Sequence, residues 1–136
     1  MKVVLDTNVI VSGLLWKKTT KALFDLADEH KITVCLTPKI IDEVSQILNY
    51  PKIHKQLDSV GLTTIEIINY LLQIAEFYPD IALQINLQDP SDKIFLGAAI
   101  ASKAEYIITG DKHLLTLDEF EGIKIIKPRH FLEEIL

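Results

Sequence analysis

The sequence predicts a three-layer α/β/α sandwich around a central, mostly parallel sheet, in one domain spanning residues 1–136. Three observations lead there. Short continuous apolar runs such as Val3–Leu5 and Ile32–Leu36 read as strands buried on both faces. They alternate with stretches that carry apolar residues at helical spacing. The chain is 49% apolar and 24% charged, so it has material for a core and lacks the composition of a disordered segment.

In chain order, Lys2–Leu5 is the first strand, and the stretch from Thr19 or Thr20 to about Asp28 is a helix with Ala22, Leu23, Leu26 and Ala27 on one stripe. Ile32–Leu36, rich in β-branched residues, is the second strand. Thr37-Pro38 supplies an N-cap and a proline at the first helical position, and that helix runs to about Asn49, with Pro51 as its stop. A polar connection is expected next, then a helix from Thr63 or Thr64 to about Phe77, broken by Pro79. Ile81–Ile85 reads as a short strand or extended segment. Asp89-Pro90-Ser91-Asp92 opens a helix that runs to about Ser102. Tyr106–Thr109 is a strand, Gly110-Asp111 a turn, His113–Leu117 a short helix, Ile123–Ile126 the last strand and His130–Ile135 the last helix.

The charge balance is 14 basic against 19 acidic residues, a net of −5. At face value this opposes a nucleic-acid partner, since phosphate binding usually shows as a basic surplus. The single cysteine, Cys35, excludes an intramolecular disulfide and a cysteine zinc site, and its apolar surroundings predict a buried, inert thiol. Asp6 comes too early for a signal-peptide core, and no apolar run reaches the ~20 residues of a membrane span. A soluble, cytoplasmic protein without membrane contact is expected.

In open parallel sheets ligands bind beyond the carboxyl ends of the strands. Asp6 directly follows the first strand, Asp111 follows Tyr106–Thr109 with one glycine between, and Asp92 lies in the first turn of its helix. Glu43 flanks the Ile40, Ile41, Val44, Ile47, Leu48 stripe, while Asp42 points to the opposite side. Each has a structural alternative: Asp89 and Asp111 as caps, Asp92 as a dipole partner, Glu43 as a solvated edge residue. Jointly, carboxylates gathered at one rim repel unless a cation neutralises them, and oxygen-rich clusters suit Mg²⁺ or Mn²⁺. Asn8 can hold a carboxylate or a metal-bound water, and Ser12 and Thr109 can add hydroxyl bonds or simply bond the local backbone. His54 and His113 fall in polar stretches and read as solvated; Trp16 reads as packing or as a base-stacking ring.

These residues resemble the PIN domain (PilT N-terminal-like) nuclease family. The carrying segments are Val4-Leu5-Asp6-Thr7-Asn8-Val9 with Ser12, Leu36-Thr37-Pro38 through Glu43, Asp89-Pro90-Ser91-Asp92-Lys93, and Tyr106-Ile107-Ile108-Thr109-Gly110-Asp111. Ser12-Gly13-Leu14-Leu15-Trp16 and Leu48-Asn49-Tyr50-Pro51-Lys52 fit the branch described as toxin–antitoxin components, which is VapC-like. The resemblance implies a metal-dependent ribonuclease with Asp6, Glu43, Asp92 and Asp111 as catalytic, metal-binding residues, Asn8 and Ser12 as accessory polar residues and Asp89 at a frequent acidic position; Thr109 joins the accessory set from its place at the strand end. It also implies a homodimer and an antitoxin partner.

The expected activity is therefore Mg²⁺- or Mn²⁺-dependent endonucleolytic cleavage of single-stranded RNA. A PIN-like module that binds RNA or protein without cutting is the alternative. A haloacid-dehalogenase-like phosphatase needs a second aspartate where this chain has Asn8, and a phosphoryl-accepting receiver domain needs an acidic pair where it has Asp6 alone. Two divalent ions on four carboxylates would neutralise that site. The remaining balance is 14 basic against 15 acidic residues, or −1. The acidic total then stops arguing against RNA.

Overall fold

The computed structural model describes residues 1–15, 18–87 and 92–135. Its elements are β1 (Lys2–Leu5), α1 (Thr7–Leu14), α2 (Lys18–Asp28), β2 (Thr33–Leu36), α3 (Pro38–Leu48), α4 (Pro51–Ser59), α5 (Thr64–Ile74) and β3 (Glu76–Phe77). There follow α6 (Lys93–Ser102), β4 (Tyr106–Ile108), α7 (Lys112–Leu117), β5 (Glu119–Phe120), β6 (Ile123–Ile126) and α8 (Pro128–Ile135). Among the described residues the strands form one sheet in the order β3-β2-β1-β4-β6-β5. All pairings are parallel except the β5–β6 hairpin.

This order shows where a ligand would sit. The chain steps from β1 outward to β2 and β3, then returns across the sheet to β4 on the far side of β1. Right-handed crossovers in opposite directions put their helices on opposite faces. They also leave a crevice between β1 and β4, where the direction reverses. β1 is the axis of the core: Val3, Val4 and Leu5 are fully buried, as are Val34, Cys35 and Leu36 on β2 and Ile107 and Ile108 on β4. The uninterrupted apolar runs follow from this two-sided cover.

The expected strands and helix caps are found with small shifts at their ends. Thr37 accepts the Ile40 N–H at 3.4 Å and Thr63 accepts the Glu66 N–H at 3.2 Å, both as side-chain N-caps. Two expectations are corrected, and two points that the sequence leaves open are decided. Thr7–Leu14, to which the sequence assigns no element, is a helix. The stretch after Pro51 is not a polar connection but α4; proline at the first helical position starts a helix as readily as it ends one, and only Leu57 of α4 is fully buried. Helix α5 ends at Ile74, because Glu76–Phe77 pairs with Cys35 and Leu36 as an edge strand. Ile81–Ile85 joins no strand. Instead its first residue presses on α6 at Gly97, where an added Cβ would stand 2.8 Å from the Ile81 carbonyl oxygen. Gly13 serves α1 and α2 similarly, since an added Cβ would lie 2.5 Å from the Phe24 ring.

Candidate active site

Strand register brings the first site residues together. Leu5 stands opposite Ile108, so the next residues, Asp6 and Thr109, are also opposite each other just past the ladder. The Asp6 N–H donates to the Ile108 carbonyl at 3.1 Å, and the Thr109 N–H to the Ile126 carbonyl at 3.0 Å, which locks both backbones. The Thr109 hydroxyl donates to Asp6 Oδ2 and accepts the Asp111 N–H at 2.9 Å. Asp6 Oδ1 accepts the Val9 N–H at 2.8 Å as the N-cap of α1. Asp111 caps α7 by accepting the His113 N–H on Oδ1 at 2.9 Å.

Asp6 is only 5% exposed and Thr109 fully buried. Burial pushes the Asp6 carboxyl above its ordinary range; hydrogen bonds from Thr109, Val9 and Gly110 oppose this, and the nearby Asp111 charge adds to it. Asp6, Asn8, Gly110, Asp111, Lys112 and His113 line a cavity of about 520 Å³ at the carboxyl edge of the sheet. Another, of about 550 Å³, lies at the amino ends of the strands between residues such as Lys103, Tyr106 and Lys124, and contains none of the predicted site residues.

Asp92 is 4% exposed at the N-cap position of α6, and its side chain does not cap its own helix. Helix α6 packs against β1, β2 and β4 and runs back toward the start of β4, so Asp92 belongs to the same carboxyl edge. Glu43 is half-buried in the second turn of α3, which packs against α1 and α6. The structure thus brings Asp6, Asn8, Thr109 and Asp111 into one cluster, with Asp92 and Glu43 on flanking helices. Among the described residues, no three Asp, Glu, His or Cys side chains form a preassembled metal cage. Ser12 is engaged elsewhere, since the Thr20 hydroxyl of α2 donates to it at 3.1 Å. Asp89 and Trp16 lie outside the described residues. Cys35 is buried as expected, and His54, within 3.8 Å of Asp58, is exposed.

In the sequence Thr7 stands out only as part of the Asp6-Thr7-Asn8 segment. Among the described residues its hydroxyl is buried without a hydrogen-bond partner, directly after Asp6 in the chain. No sequence signal marks such an orphan, because it depends on what surrounds the side chain.

The family model described as PIN domain matches residues 2–113. The chain belongs to the PIN domain nuclease family. This PIN domain is 33% identical to an uncharacterized protein of Methanocaldococcus jannaschii, over 98% of the chain and 91% of the relative. Its fold is similar to a crystal structure of VapBC2 from Rickettsia felis bound to a DNA fragment from their promoter. That likeness has a TM-score of 0.59 at 15% identity and covers 92% of this chain and 97% of the other. It is also similar to the PIN domain of human SMG5, with a TM-score of 0.55 at 11% identity over the full length of both. No helix among the described residues is long and apolar enough to cross a membrane.

Proposed function

We propose that this PIN domain is a Mg²⁺- or Mn²⁺-dependent endoribonuclease that hydrolyses phosphodiester bonds in single-stranded RNA. The observation that carries this reading is the buried Asp6 carboxyl at the β1/β4 reversal, sharing one cavity with Asp111. A carboxyl kept there against its desolvation cost is explained by a cation that shares its charge.

The donor set fits a hard divalent ion. The carboxylate oxygens and the Asn8 amide are oxygen ligands, and Mg²⁺ commonly takes one or two carboxylates while keeping several waters. A preassembled three-carboxylate cage is therefore not needed. Asp6 and Asp111 would hold the ion from the sheet side, with Asp92 and Glu43 as the remaining acidic ligands, direct or through water. Bound there, the ion supplies Lewis acidity and an activated water for in-line attack on phosphorus.

The chain's own residues position and orient. The donors from Val9, Gly110 and Thr109 occupy about three of the roughly four lone-pair sites of the Asp6 carboxylate and fix its plane, leaving capacity toward the cavity. The Thr109 hydroxyl couples Asp6 to Asp111 by donating to one side chain and accepting from the other residue's backbone. Asn8, exposed at the cavity, can donate to a phosphate oxygen or a water.

Cleavage of a labelled single-stranded RNA in Mg²⁺ or Mn²⁺ tests the reading. Wild type should cut, and Asp6→Asn and Asp92→Asn should lose at least 100-fold in rate, on the order of what removal of a key electrostatic group costs. Equal cleavage by all three would refute the assignment; metal-dependent RNA binding without cleavage would favour the non-catalytic module. The proposal extends to a toxin role, as a cytoplasmic homodimer held by a protein antitoxin; the likeness to VapBC2 supports the fold such a role would use. Co-purification with the product of the neighbouring open reading frame would test that part.

A further inference from the structure

Two lysines beside the site stand where their electrostatics are adverse. Lys39 occupies the first turn of α3 and Lys93 begins α6. The amino end of a helix carries partial positive charge and favours anions. Neither α3 nor α6 has an acidic residue in its first turn. Nor are the two lysines neutralised by ion pairs: those formed among the described residues are Lys2–Glu76, Lys21–Asp25, Lys31–Glu29 and His54–Asp58. Lys39 and Lys93 instead line one cavity of about 240 Å³, closed by Asp80, Ile81, Ala82, Leu83 and Ile94. Asp80 is its acidic group and accepts the Lys39 N–H at 3.1 Å.

The location follows from topology. Helix α3 starts after β2, the parallel neighbour of β1, with Thr37 between them, so Lys39 lies at the same carboxyl edge of the sheet as Asp6, on its β2 side. Lys93 directly follows Asp92. The charge balance of the cavity is two lysines against one aspartate, or +1, which one phosphodiester would neutralise.

We propose that Lys39 and Lys93 bind a backbone phosphate of the RNA next to the scissile one, and so position the strand across the Asp6–Asp111 cavity. This rests on the ribonuclease reading and adds the subsite that holds the chain. It also explains how a protein with net charge −5 retains a polyanion: local cations matter there more than the total.

The test is a salt titration of binding to a labelled single-stranded RNA, measured by fluorescence anisotropy in Mg²⁺ with every arm carrying Asp6→Asn to suppress cutting. For single strands, log K falls with log salt by about 0.7 for each phosphate neutralised. Lys39→Ala/Lys93→Ala should therefore lower the slope by about 0.7 and weaken binding about fivefold at 0.1 M salt, relative to the 1 M limit. Asp80→Asn should strengthen binding. Lys31→Ala/Lys124→Ala, with the same change in net charge but away from the carboxyl edge, should leave the slope unchanged. An unchanged slope in the first double variant, an equal loss in the second, or no measurable RNA binding by the parent would each overturn the proposal. A parallel cleavage assay with the Asp6-intact chain separates the two readings: cutting with a lysine-independent slope removes only this subsite, whereas a lysine-dependent slope without cutting removes only the nuclease.

Discussion

Replacing Thr109 by valine keeps the volume of a fully buried side chain and deletes only its hydroxyl. Two bonds go with it: the one donated to Asp6 Oδ2 and the one accepted from the Asp111 N–H. A hydrogen bond to a charged group contributes about 1.5–3 kcal/mol, and a polar group left unsatisfied costs ~1 kcal/mol or more. The expected loss at neutral pH is about 2–4 kcal/mol. For a domain of this size roughly 3–4 °C accompanies each kcal/mol, so Tm should fall about 7–14 °C. The loss should also depend on pH. Burial already raises the Asp6 carboxyl above its ordinary range, and the Thr109 bond pulls it back down. Without that bond the folded-state pKa rises further, so the native form of the variant holds its proton to higher pH. Below both folded-state values Asp6 is protonated in either protein, and the charge-dependent part of the difference vanishes. As pH rises through that window the variant loses ground. Circular-dichroism melts of wild type, Thr109→Val and Thr109→Ser between pH 4 and 7.5 would show this. Thr109→Ser should recover most of the loss. If Thr109→Val melted within 2 °C of wild type at every pH, the account of how Asp6 is held would be wrong.

Other outcomes follow from the same residues. Asp6→Asn should raise Tm at neutral pH without metal, because an acid whose folded-state pKa is raised destabilises the fold once ionised; the gain should shrink toward acid pH, and Mg²⁺ should stabilise wild type but not the variant. Gly97→Ala should destabilise by roughly 1–2 kcal/mol in a denaturant titration, since overpacking at 2.8 Å from a backbone oxygen outweighs the ~1 kcal/mol gain in helix propensity. Lys39→Ala/Lys93→Ala should raise stability by about 0.3–1 kcal/mol per site in low salt, as cations leave helix amino ends. A fall in Tm would mean that the lysines serve the fold.

How much of this was legible depended on whether the signal was local. The strand Lys2–Leu5 was readable because a strand buried on both faces is continuously apolar, as Val3–Leu5 are, and Ile123–Ile126 because its three isoleucines are β-branched, with only Lys124 turned to solvent. Thr37-Pro38 announced α3 through the chemistry of its own amino end. Pro51 was ambiguous because proline both ends helices and begins them, and what lifts α4 above a loop is the burial of Leu57 against the rest of the fold. Phe77 looked like the end of a helix since nothing nearby in sequence reveals that β2 needs an edge partner. At the site, Asp6, Asn8, Thr109 and Asp111 were all named from the sequence, yet the contact between Asp6 and Thr109 exists only through the register of β1 against β4.

By itself, the sequence determined the α/β class, the four acidic blocks in order and membership of the PIN domain nuclease family, because apolar periodicity, caps and motif spacing are properties of neighbouring residues. Tertiary structure alone decided which of these residues meet. It bonded Asp6 to Thr109 and put it in one cavity with Asp111, committed Ser12 to Thr20, and, among the described residues, left the Thr7 hydroxyl buried without a partner and two lysines at helix starts without an ion pair. The physical reason is that burial, desolvation and the meeting of distant side chains are set by the strand order β3-β2-β1-β4-β6-β5. No short window of sequence encodes that order.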